Sequence, residues 1–113
     1  MTKQFYSHLI EIDSLIIEFK FLDLTSDQKL HLIGIIYSSL HHAILDAVLS
    51  QLSEKDKKLF LTHVLFDDHG RVWELLNRKI ENVEDKIKKT AEVLKDELKK
   101  DIRQVHKEKK YIF

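Results

Sequence analysis

No proline interrupts this chain of 113 residues, and glycine occurs only at Gly34 and Gly70. Proline breaks helix interiors, and glycine supplies the positive backbone angles of tight hairpin turns. Their scarcity leaves long helices as the expected outcome. Cap residues then divide the chain. Thr25 followed by Gln28 forms a capping box, in which the hydroxyl accepts an orphan backbone N–H and the amide side chain reaches back to the cap. Ser53 with Asp56 and Asn82 with Asp85 repeat the pattern with a carboxylate at the third position, and Asp67 or Asp68 caps the segment that holds Trp73. Five helices are predicted, over about Lys3–Leu22, Ser26–Leu52, Glu54–Phe66, His69–Ile80 and Val83–Lys110.

The first segment contains Ile16-Ile17-Glu18-Phe19-Lys20-Phe21, an alternating, β-branched and aromatic run that also suits a strand. A helical stripe of Phe5, Leu9, Ile12, Ile16 and Phe19 and the lack of a partner strand favour helix. In the second segment, Leu30, Leu32, Ile33, Ile36, Tyr37, Leu40, Ala43, Ile44, Leu45, Ala47, Val48 and Leu52 occupy well over half of the helical circumference at 100° per residue. Such a helix is expected at the centre, surrounded by the others, with Leu40, Ile44 and Val48 among the most buried residues. Gly34, Ala43 and Ala47 offer small surfaces for close approach. The third and fourth helices are short and amphipathic, and should fold over the central one as an antiparallel pair.

The last helix, about Asn82 to Lys110, is intensely charged around a narrow seam of Val83, Ile87, Ala91, Leu94, Leu98, Ile102 and Val105. About 29 residues at about 1.5 Å each give roughly 43 Å, against a radius of gyration near 13 Å for a compact chain of about 100 residues. One end is expected to outrun the body. Its interleaved charges read as a solvated face with i,i+4 support. Tyr111-Ile112-Phe113 follows a Lys-Glu-Lys-Lys run, a composition suited to docking on the chain's own domain or on another subunit.

Formal charge is zero, from 19 basic and 19 acidic residues, so nothing drives the whole chain toward nucleic acid or anionic lipid. The absence of cysteine removes disulfides, thiolate zinc sites and cysteine nucleophiles, and fits a cytoplasmic location. The N-terminus lacks the pattern of a secretory signal. Leu30 to Leu52 is long enough to span a bilayer, but it carries Asp46 and three histidines. A core helix is the preferred reading, with no transmembrane segment.

The Leu22-Asp23-Leu24-Thr25 stretch, the Leu52-Ser53-Glu54-Lys55-Asp56-Lys57-Lys58 helix start, the Asp67-Asp68 turn and the run from Trp73 to Asn82 together resemble a group of small all-helical domains of unknown function from candidate-phyla bacteria. The resemblance covers about Leu22 to Leu98. It implies an all-helical fold and assigns no activity.

Among seven histidines, His42 and Asp46 lie four apart and share a face with His31, and His63, Asp67 and His69 gather around a turn. These are weak candidates for zinc or nickel, without an HExxH motif; no metal or cofactor is expected. His41 faces the apolar arc and is expected to be half-buried and hydrogen-bonded to backbone. Phosphate-binding glycine clusters are missing, and Ser38, Ser39 and His42 lack a nucleophile elbow or oxyanion motif, so no enzyme is expected. The expected protein is all-α, a single-domain bundle of about five helices around a central apolar helix. Its expected role is as a protein interaction module that self-associates as a homo-oligomer through Leu94, Leu98, Ile102, Val105, Tyr111, Ile112 and Phe113. The alternative is an accessory protein that contacts nucleic acid or an anionic membrane surface through the basic end of the last helix.

Overall fold

A computed structural model describes residues 4–112, with backbone alone for residue 21 and residues 105–112. The fold is all-α. Among the described residues there are five α-helices, α1 (Asp13–Glu18), α2 (Ser26–Leu49), α3 (Glu54–Leu65), α4 (His69–Lys79) and α5 (Val83–Ile112), with 3₁₀ turns at Ser7–Leu9 and Phe19–Phe21.

Local chemistry sets three of the helix starts. Thr25 accepts from the Gln28 amide at 3.1 Å while Gln28 Oε1 accepts from the Thr25 amide at 2.9 Å, closing the capping box. Ser53 accepts from the Asp56 amide, and Asp68, rather than Asp67, accepts from the Arg71 amide. Asn82 departs from the expected cap geometry. Its φ is 53°, in the left-handed region, as is that of Asp67 at 54°, and its carbonyl accepts the Lys86 amide. Asn and Asp enter this region more readily than other side-chain-bearing residues, so they turn the chain at the two tight junctions where glycine would be the usual choice.

The expected continuous first helix does not form. Ile10 is extended, with φ −130° and ψ 132°, and the helix restarts at Asp13. The break coincides with a contact 68 positions away, where Trp73 Nε1 donates to the Phe5 carbonyl at 3.0 Å. In an α-helix that carbonyl would accept the Leu9 amide, which instead bonds to Tyr6 at 2.9 Å. The break resets the helical phase. Ile12, Leu15 and Phe19 are the buried set of the second piece, while Ile16, expected inside, is 38% exposed.

Two apolar clusters result, and α2 contributes to both. Ile44 and Val48 join Phe5, Tyr6, Phe60, Val72, Leu75, Leu76, Ile80, Val83 and Ile87. Ile36 and Leu40 join Ile12, Leu15, Phe19 and Ala91. Leu40, Ile44 and Val48 are buried as the sequence requires. However, α2 is not enclosed all round, because Leu30, Ile35 and Tyr37 are exposed. Gly34 has no neighbour within 4 Å of where a Cβ would stand, so it serves no close approach within the chain. The molecule is elongated, with a radius of gyration of 16.7 Å and a long axis of 53 Å.

Candidate functional site

Helices α2 and α5 run antiparallel. The first half of α2, at Leu32 and Ile36, lies with Leu98 and Ile102 in the second half of α5, and Ala43 and Ala47 lie with Thr90, Val93 and Leu94. The other elements leave one side of this pair uncovered. At its wider end is a groove of about 620 Å³, floored by Phe19, Leu22, Leu24, Leu32, Ile35, Ile36, Leu98 and Ile102 and edged by Asp27, Gln28, His31 and Asp101. Its size and its apolar floor with few polar groups are those of a binding cleft. A second hollow of about 530 Å³ continues along the same seam, where Ala43 and Ala47 are too small to fill the space beside α5.

Beside the groove, ion pairs tie the N-terminal segment to α5. Arg103 grips Glu18 with two hydrogen bonds, Nη2 to Oε1 at 2.7 Å and Nε to Oε2 at 3.3 Å, and they hold the carboxyl below its ordinary range, with the charge of Lys99 adding to the effect. Lys95 is 3% exposed and donates to Glu11 at 2.8 Å and Glu92 at 3.0 Å. Burial alone would pull this ammonium down; the two carboxylates outweigh it and hold it above its ordinary range. Lys95 therefore belongs to the interior, not to the solvated face the charge pattern suggested. These pairs clamp the segment from Glu11 to Glu18 against α5, a bidentate arginine at the last residue of α1 and a buried lysine two residues before its first.

Leu94, Leu98 and Ile102 are partly buried against the second cluster, so the chain's own body reaches along α5 as far as Arg103, well past the first half of that helix. The side chains of Val105, Tyr111 and Ile112, and the whole of Phe113, lie outside the described residues. His31 borders the groove, whereas His42 and Asp46 are exposed farther along α2. Eleven residues of helix, about 16 Å, separate His31 from His42, so sharing a face does not bring them to one point. Among the described residues no group of three or more His, Cys, Asp or Glu side chains is placed to hold a metal ion.

His41 is half-buried, and its partner is a side chain, not backbone: Tyr6 Oη lies 2.6 Å from its Nδ1. Burial pushes the Tyr6 phenol up to about 12, and burial together with the neighbouring charge of His42 holds the His41 imidazole below its usual range. Both groups are thus neutral at pH 7, with the phenol donating. The unfolded chain ionises Tyr6 first, so stability is expected to fall as pH rises from about 10 to about 12. It also protonates His41 first, so stability falls again as pH drops below about 6.5. Denaturant titrations across pH should show the alkaline loss shrink in Tyr6→Phe; an unchanged alkaline limb would refute this account of the pair.

By length and composition, α2 could span a membrane, and 22% of its most apolar stretch is buried. The sequence pattern reported this apolar excess; the side left open was set by where α1 and α5 pack. Ile35, 45% exposed, was not among the contact residues expected from sequence, and its only sequence signal was its place in an apolar run off the core stripe. No family model, characterised protein or solved structure matches the chain.

Proposed function

We propose that this protein is a helical protein–protein interaction module that self-associates, with the α2–α5 groove as its docking surface. The observation that carries this reading is the uncovered apolar floor around Ile35, Leu98 and Ile102. Burying such a floor against a partner gains about 25 cal/mol per Å² of apolar surface before association costs. A two-fold pair is the simplest arrangement, because one patch then serves both copies. The accessory-protein alternative has less support, because Arg103, part of the basic end it would use, is engaged by Glu18.

Light scattering from low to high micromolar concentration tests the proposal. The expected result is a dimer for the unmodified protein and a folded monomer for Ile35→Glu, since a half-exposed site tolerates the charge within one chain but not in a closed interface. A monomer throughout the range would overturn the reading. A dimer that forms only at low salt would favour the charged end of α5 instead.

A further inference from the structure

We infer that the groove's occupant is the Lys109-Lys110-Tyr111-Ile112-Phe113 segment of a second copy, delivered by antiparallel pairing of the two α5 helices. This rests on the self-association reading and specifies its register. The segment cannot reach the groove of its own chain, because α5 continues as helix to Ile112. Ten residues at about 1.5 Å each carry Ile112 about 15 Å beyond Ile102 along the same axis.

A second copy removes that obstacle. With a two-fold axis crossing α5 near Val105, residues seven positions either side of it come level, so Ile112 of one copy meets Leu98 of the other on the groove floor. Residues four positions either side also meet, which sets Lys109 level with Asp101. The groove presents an apolar floor with Asp27 and Asp101 at its edge. The segment presents two lysines followed by three large apolar residues. One charge pair, Lys109 with Asp101, and one apolar pair, Ile112 with Leu98, are therefore matched three positions apart, whereas Lys110 and Lys100, also level, lie about half a helical turn away from the Leu98–Val105–Ile112 seam. The two matched pairs set register as well as attraction.

The absence of native cysteine makes the register directly testable. Leu98→Cys and Ile112→Cys are made as separate variants of the full chain and mixed under mild oxidation. A disulfide requires Cβ atoms about 4 Å apart, so the mixture should give a covalent heterodimer. Leu98→Cys alone should give little covalent dimer, since its two sulfurs would lie about 21 Å apart along the axis. Asp101→Lys should weaken the dimer about tenfold, and adding Lys109→Asp should restore it. Circular dichroism confirms that each variant is folded.

Covalent heterodimer together with charge-swap rescue supports the inference. A dimer by light scattering without the heterodimer overturns this register while leaving self-association intact. A monomer by light scattering overturns both.

Discussion

Replacing Phe60 by alanine is expected to destabilise the protein by about 3–5 kcal/mol. Phe60 has no solvent exposure, and its ring meets Phe5 edge-on with centroids 5.6 Å apart. Truncation loses the transfer energy of the ring and leaves a cavity where α3 meets the N-terminal segment. Domains of this size are stable by only about 5–15 kcal/mol, so a single substitution removes a large share. Urea denaturation monitored by circular dichroism measures the loss. A change below about 1 kcal/mol would mean that α3 is not docked as described.

The second large effect separates two adjacent residues. Leu15→Ala is expected to cost about 2–5 kcal/mol, whereas Ile16→Ala should cost less than about 1 kcal/mol. Leu15 is fully buried with Ile12, Phe19, Ile36 and Leu40, while Ile16 turns partly to solvent. A helix continuous from Lys3 would put Ile16 inside, so the two alanine variants report the phase of α1. Equal losses, or a larger one at Ile16, would contradict the break at Ile10.

These two sites mark different depths of legibility. Phe60 lies on the apolar stripe of a helix whose start is announced by Ser53, and that stripe could be read from periodicity. Leu15 could not, because its phase depends on the chain becoming extended at Ile10, where the N-terminal segment packs against Trp73. The candidate site divides similarly. Leu94, Leu98 and Ile102 stand out as an apolar seam in a charged helix, but the groove they share with Ile35, Leu22 and Leu24 exists only when α2, α5 and the Phe19–Phe21 turn converge.

The helical class, the caps at Thr25 and Ser53, and the buried spine of Leu40, Ile44 and Val48 follow from the order of residues, which also narrows the α4 cap to Asp67 or Asp68. Each of these is decided within a turn or two of helix, by a side chain meeting a backbone amide three residues away or by spacing along one face. The break before Asp13, the burial of Lys95 and the open side of the α2–α5 pair emerge only from the packing of the helices. The side-chain bonds that accompany these features join residues far apart in the chain: Tyr6 with His41, Phe5 with Trp73, Glu11 with Lys95 and Glu18 with Arg103. Such pairings depend on which helix faces meet, and one-dimensional periodicity shows that a face is apolar without showing what comes to cover it.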